Sequence, residues 1–404
     1  MSSLIVEVCQ IDKVEPHPNA DRLDLYTIKG WTVIGSKLDD GSPRYAVGDK
    51  VVYVPPETVV SEEVAVRHGV KPYLKPLPKE NGVVPPGGRV TVANLRSVKS
   101  YGYIALPDDP TWEVGDDVAN IYGFTKYDPP EPTQSNNHGD AEKPHPSLPK
   151  YFDMENLKNY PRVIPEGEPV VVSIKQHGMS YKLGIIREPN AEGQAVWKWA
   201  AASNSVRRKK YQEKFNKDGT YSEELNQFWK PLDEPTRNLL AYLSGCGYTP
   251  EQIDAEPPVM TSNPGQDVAV YGEIYGSGVQ DLTYGYKNGE VAWRAFDILV
   301  GGTRYLDYQE KTNLFGRFGV RTVAYVYEGP YSFEKMMELC EGQSLKELAV
   351  RHGMEGADKQ IQEGLVIFTR REQPCRAGRH SMSRSQFKLI SFEYLNRKGG
   401  TERH

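Results

Sequence analysis

The stretch VVVSIKQHGMSYKLGII, Val170 to Ile186, decides how this chain is read. An apolar, β-branched run ends at Ile174, Lys175 follows, and Gly178 permits a tight turn before a second apolar run. Such runs read as strands, so the segment predicts two strands joined by a turn, with a lysine at the junction. A lysine there is ordinarily a solvated edge residue. It becomes a nucleophile only where its surroundings, through burial or neighbouring cations, keep the amine uncharged.

Working outward, the later runs supply company for such an amine. DVAVYGEIYG carries Glu273, WRAFDIL carries Phe296 and Asp297, QEGLVIFT carries Glu363, and SRSQFKLISFEYL carries Lys388. Further strand candidates are EPVVVSIK, SYKLGII, AVWKWAA and GLVIFT. Apolar residues at three- and four-residue steps predict helices in SEELNQFWKPL, EPTRNLLAYLSG, YSFEKMMELCEG and LKELAVRHG. Strands and helices mix without a regular alternation, which predicts an α+β domain rather than a doubly wound sheet.

Taken in order, these runs resemble the covalent nucleotidyltransferase superfamily of polynucleotide ligases and mRNA capping enzymes. KQHGMS resembles the first motif of RNA ligases, YGEIYGSGVQDLTYG the third, and FDIL, EGLVI and FKLIS-x-x-YL the later ones. The resemblance covers about Tyr151 to Leu395. A β-rich region ahead of it further resembles the arrangement of the fifth RNA ligase family.

That resemblance implies an ATP-dependent RNA ligase. Lysine takes AMP from ATP, the AMP passes to an RNA 5′-phosphate, and a 3′-hydroxyl then closes the phosphodiester. Lys175 is the implied nucleophile, and it must be an amine, because arginine cannot be deprotonated. Gly178 keeps the turn beside the nucleotide free of a side chain. Glu273 accepts a hydrogen bond from the ribose, Phe296 stacks on the adenine, and Lys388 contacts the α-phosphate. Glu363 is the carboxylate near a divalent metal, Mg²⁺ or Mn²⁺, which suits oxygen ligands. Arg207, in WAAASNSVRRKK, is the candidate for an arginine that follows the first motif; Ser203 and Asn204 stand beside it. The implied substrate is RNA, a nick in a duplex or an RNA/DNA hybrid, and the expected state is a monomer.

The sequence departs from the family pattern at three points. Ile174 stands where many relatives carry a carboxylate that reads the adenine, and His177 stands where some have aspartate. Ile390 stands at the second lysine of the last motif, with Arg379 and Arg384 as candidates to replace it. Two basic stretches, Arg207 to Lys210 and the arginine-rich RREQPCRAGRHSMSR from Arg370 to Arg384, are either phosphate contacts or solvated faces.

Residues 1–125 are short β-like runs cut by Gly, Pro, Asp and Asn. HPNADRL and VGDKVVYV resemble small OB-type barrels, which predicts an N-terminal all-β, nucleic-acid-binding OB-like barrel. Residues 126–150, KYDPPEPTQSNNHGDAEKPHPSLPK, predict a flexible linker, and residues 151–404 the nucleotidyltransferase domain. The whole chain has 404 residues, 38% hydrophobic, with a formal charge of -5, so nucleic-acid binding must rest on local patches. No apolar run approaches the roughly 20 residues of a membrane span. Four scattered cysteines form no CxxC, and no secretory signal is visible, so an intracellular protein is expected. Two alternatives remain open: a DNA ligase or capping-type enzyme, and an inactive nucleic-acid-binding protein with a ligase-like domain.

Overall fold

A computed structural model describes residues 4–79, 82–127, 139–216, 219–260, 265–342, 345–354, 356–377 and 380–397. The chain divides into two compact units. The first comprises Met1–Pro132, Glu155–Val163 and Arg376–Ser381, and the second the remainder.

The first unit is built from short antiparallel ladders. Glu7–Gln10, Lys50–Val54 and Tyr103–Ala105 form one sheet, and Lys13–Pro16, Leu23–Ile28 and Trp31–Ser36 form a meander. In Leu23–Ile28 every second residue, Asp24, Tyr26 and Ile28, is buried, as a strand with one inward face requires. Lys50–Val54 is buried on both faces. Val52 and Val54 join a core with Val6, Val8 and Val60. Val51 and Tyr53 join another with Cys9, Ile11 and Tyr26. Thr58–Val60 pairs with Gly88–Arg89 and Thr125–Lys126, and Val92–Leu95 pairs with Val98–Tyr101. These ladders remain separate. Among the described residues the expected closed OB-like barrel is not formed; the unit is β-rich without it. In HPNADRL, His17 is buried, its Nε2 lying 3.1 Å from the Leu95 carbonyl, while Asn19 donates to the Arg96 carbonyl at 3.0 Å. That motif ties a turn to a hairpin.

The second unit is α+β. Its larger antiparallel sheet runs in the order Ala141–Glu142, Arg207–Arg208, Ala195–Ser203, Met179–Pro189, Val268–Gly276, Val291–Val300 and Arg304–Tyr305. Tyr181, Leu183 and Ile185 face one side of this sheet and pack with Trp197, Leu239, Leu240 and Phe315. Leu239 and Leu240 come from the helix Glu234–Ser244, capped by Asp233 at its start and by Gly245 in the left-handed conformation at its end. On the opposite face, Ile186, Ala200, Ala269 and Leu299 pack against Leu148 and Tyr151. A second antiparallel sheet contains, in order, Gln386–Ile390, Gly364–Thr369, Pro169–Lys175 and Tyr325–Pro330. No helix among the described residues is long and apolar enough to cross a membrane.

The strands around the first motif form where the sequence predicts them. SEELNQFWKPL does not form the expected helix. Tyr221–Leu225 is instead a strand paired with Tyr211–Phe215, followed by a single 3₁₀ turn at Gln227–Trp229. Cross-strand pairing overrides the weak helical period, and Asn226 caps the 3₁₀ turn rather than extending a helix. The helix Tyr308–Phe318 was not anticipated, although Asp307 and Glu310 form a capping box and Gly319 ends it in the left-handed conformation. Within the expected linker, residues 128–138 lie outside the described residues. Residues 139–150 are packed rather than extended: Ala141–Glu142 pairs with Arg207–Arg208, and Leu148 enters the core. Polar composition hid this because its contacts are made by Asp140, His145 and a single leucine.

Candidate active site

A cavity of about 450 Å³ lies within the second unit. Lys175, Gly178, Glu273, Phe296, Glu363 and Lys388 all line it. They are far apart in sequence, and the two sheets bring them together.

Lys175 ends the strand Pro169–Lys175, which is hydrogen-bonded on both sides, to Tyr325–Pro330 and to Gly364–Thr369. Its Cα is opposite Gly364, which sets Glu363 beside it. The Lys175 Nζ lies 2.5 Å from Glu363 Oε1; the lysine side chain is 19% exposed and the glutamate 2%. The glycines follow from close backbone approach. A Cβ on Gly364 would stand 2.1 Å from the Leu389 carbonyl oxygen, and one on Gly178 would stand 2.1 Å from that of Ile274. Gly178 is therefore required by the neighbouring strand. Gln280 donates from its side chain to the Gly178 carbonyl.

Glu273 pairs across the larger sheet with Ser180, next to the turn after Lys175. Burial pushes its carboxyl up to about 8; the positive Lys175 opposes this and the negative Glu363 adds to it. Phe296 owes its direction to a β-bulge. The register shifts so that Tyr271 opposes Asp297 and Gly272 opposes Ala295, leaving Phe296 as the extra residue. Its ring packs edge-on against Tyr151, with centroids 5.1 Å apart, on the cavity wall. Lys388, opposite Val366 in Gln386–Ile390, also reaches this wall.

His177 is 2% exposed. Its Nε2 lies 2.9 Å from Asp281 Oδ1 and its Nδ1 2.9 Å from the Tyr394 hydroxyl. Burial works against charge on Asp281, but the Arg397 guanidinium and His177 hold its carboxyl below the usual range.

Arg207 does not join this group. Arg207 is 8% exposed and its guanidinium is engaged by Glu142 at 2.9 Å and by Glu188, away from the cavity lining. Arg208 is likewise bound to Asp140 at 3.0 Å. Asn204, from the same segment, is the residue that lines the cavity. Its side chain accepts from the Tyr151 backbone at 3.1 Å. Of the two substitutes for the missing lysine, the structure places only Arg384. Arg379 lies outside the described residues. Arg384 is 5% exposed, 2.7 Å from Asp297 and bound to Glu372 and Tyr151. Lys311 donates to the same Asp297 at 3.0 Å. Burial opposes charge on Asp297, and these two cations hold its carboxyl below the usual range. Ile390 is 1% exposed, in the core.

Sequence reasoning missed Tyr151, Phe152 and Lys182, and gave no role to Tyr394 of the last motif. Tyr151 and Phe152 line the cavity from the end of a proline-rich stretch that carries no periodic signal. Lys182 is 3% exposed and donates to the carbonyls of Leu148 at 3.0 Å, Pro149 at 3.1 Å and Asn204 at 3.0 Å, tying two parts of the wall together. Burial pulls its ammonium down to about 8.

Residues 168–390 match the family model for RNA ligase, more than half of the chain, and the chain belongs to that family. No curated protein matches it. Solved structures of Naegleria gruberi RNA ligase share the fold. A mutant with ATP and Mn is 20% identical with a TM-score of 0.56, covering 97% of this chain and 99% of that one. An apo mutant is 21% identical with a TM-score of 0.57 over 97% and 99% of the respective chains. The same ligase with pyrophosphate is 20% identical with a TM-score of 0.53 over 98% of each.

Proposed function

We propose that the chain is an ATP-dependent RNA ligase whose nucleophile is Lys175. The observation that carries this reading is the cavity in which Lys175 sits 2.5 Å from the buried Glu363 and shares a wall with Glu273, Phe296 and Lys388. The neutral amine attacks the α-phosphorus of ATP. A P–N bond forms, the P–O bond to pyrophosphate breaks, and lysyl-AMP results. Lysine must lose a proton before attack, and Glu363 Oε1 is the base within reach. Phe296 takes the adenine face, Glu273 the ribose hydroxyls and Lys388 the negative charge of the α-phosphate. AMP then passes to an RNA 5′-phosphate, and a 3′-hydroxyl displaces it to seal the strand, with a nick in a duplex as the preferred break.

The donor set fits a hard divalent cation. Glu363 offers carboxylate oxygen, and among the described residues no group of three or more His, Cys, Asp or Glu side chains could hold a metal alone. A Mg²⁺ or Mn²⁺ ion held by Glu363 would take its remaining ligands from water and substrate phosphates. When bound, the cation neutralises charge on the triphosphate.

The test is incubation of the full chain with α-labelled ATP and Mg²⁺, followed by peptide mapping. One AMP on Lys175 and its loss in Lys175→Ala are expected. Labelling elsewhere, or none in the wild type, overturns the reading. Sealing of nicked RNA duplexes compared with single-stranded RNA tests the substrate; equal rates reject the duplex preference.

A further inference from the structure

The His177 ring is gripped on both nitrogens by residues far along the chain. Asp281 is also held by Arg397 Nε at 3.0 Å, so it faces the ring as an ionised carboxylate. A carboxylate only accepts, so the ring nitrogen 2.9 Å away, Nε2, carries the hydrogen. In the neutral ring Nδ1 is then an acceptor, and the Tyr394 hydroxyl at 2.9 Å must donate to it. Glu363 Oε2 lies 3.5 Å from the same Nδ1.

Tyr394 lies on the short helix Phe392–Asn396, and the segment around it also holds the backbone under Glu363. The Ser391 amide donates to the Glu363 carbonyl at 3.0 Å, and the Ser391 hydroxyl to the Gln362 carbonyl at 2.9 Å. Arg397 lies 3.5 Å over the Tyr394 ring and donates to the Tyr394 carbonyl at 2.9 Å.

We infer that Ser391–Arg397 is a positioning element of the active site. Through Tyr394, and through Arg397 acting on Asp281, it sets the tautomer and orientation of His177. Through the Ser391 hydrogen bonds to the Glu363 and Gln362 carbonyls it also holds Glu363 beside Lys175. Tyr394 and Asp281 touch no reacting atom; they are positioning residues. The catalytic consequence rests on the ligase reading above, whereas the tautomer does not.

The experiment uses full-length protein labelled with ¹⁵N in its histidine rings, without nucleotide, in buffer alkaline enough to leave the rings neutral, with His177→Gln identifying the signals. For the neutral ring of His177 the expected spectrum is the Nε2-protonated tautomer, and Asp281→Asn should remove that preference. An Nδ1-protonated neutral ring in the wild type overturns the inference, as does an Asp281→Asn spectrum identical to the wild type. Tyr394→Phe should keep the tautomer yet slow single-turnover adenylylation of Lys175 about 10- to 100-fold at saturating ATP, the range typical of residues that orient a ligating group. Half-saturating ATP should stay within about threefold of wild type, since an orienting contact of this kind acts on the chemical step. An unchanged rate overturns the proposal, and so does an equal loss in Glu393→Gln, an exposed neighbour on the same helix. Should Tyr394→Phe fail to fold, the spectra of the wild type and Asp281→Asn still decide. Absence of lysyl-AMP in the wild type would sink the ligase reading and leave the tautomer test standing.

Discussion

Replacing Glu273 by glutamine should make the empty protein more stable in alkali, although it removes a candidate substrate-binding group. In the folded chain burial pushes this carboxyl up to about 8 from 4.5. Between those values the folded state keeps a proton that the unfolded chain releases. The sign follows: this residue's contribution is complete below about pH 4.5 and declines as pH rises through about 8. Each pH unit between the two values is worth about 1.4 kcal/mol, which caps the effect near 5 kcal/mol. Glu273 is partly open to a water-accessible cavity, so screening reduces this to about 2 kcal/mol. Glutamine is neutral at every pH. The variant should match wild type near pH 5 and gain about 2 kcal/mol near pH 9, or roughly 4–8 °C in Tm for a unit of this size. Thermal unfolding of both proteins without nucleotide, from about pH 5 to 9, measures the difference directly and cancels every other titrating group. A gap that does not widen with pH, or a variant less stable than wild type in alkali, would refute the argument.

Three further outcomes follow from the cavity and its surroundings. Phe296→Ala should raise half-saturating ATP by about 5- to 150-fold, the worth of one base–aromatic stack of roughly 1–3 kcal/mol, in a nucleotide titration of lysine adenylylation. Gly178→Ala should abolish adenylylation or folding, because its Cβ would meet the Ile274 carbonyl oxygen at 2.1 Å; circular dichroism with the labelling assay checks this. Arg207→Ala should leave the ATP dependence of adenylylation unchanged while destabilising the fold by about 1–3 kcal/mol, because it leaves the partly exposed Glu142 and Glu188 without their cation. A raised half-saturating ATP in that variant would return Arg207 to the nucleotide site.

The cavity's principal residues were legible because each sits at a fixed place relative to a strand: Lys175 at a strand end, Glu363 just before one, and Glu273 and Lys388 within one. Strand positions survive in a linear reading, since β-branched runs announce themselves. Arg207 misled because charge identifies what a residue can bind but not which carboxylates surround it once folded. Asn204, three positions earlier, has no charge to draw attention and yet faces the cavity. Phe296 was picked out by its motif, but the bulge that aims it depends on the register of a partner strand and cannot be seen in one segment alone. Tyr151 and Lys182 were invisible, and Tyr394 was seen only as a motif letter, for a related reason: their importance lies in long-range hydrogen bonds to carbonyls and side chains, which carry no local pattern.

The two-sided pairing of Pro169–Lys175 has a consequence for any redesign of this enzyme. Successive side chains on a strand point to opposite faces, so a slip by one residue would turn Lys175 away and bring Ile174, an inert hydrocarbon, to its place. Adding or deleting a single residue inside this strand should therefore be harsher than most substitutions around the pocket. Changes of length belong in the surface turns, where the offset is absorbed before the hydrogen-bonded ladders begin.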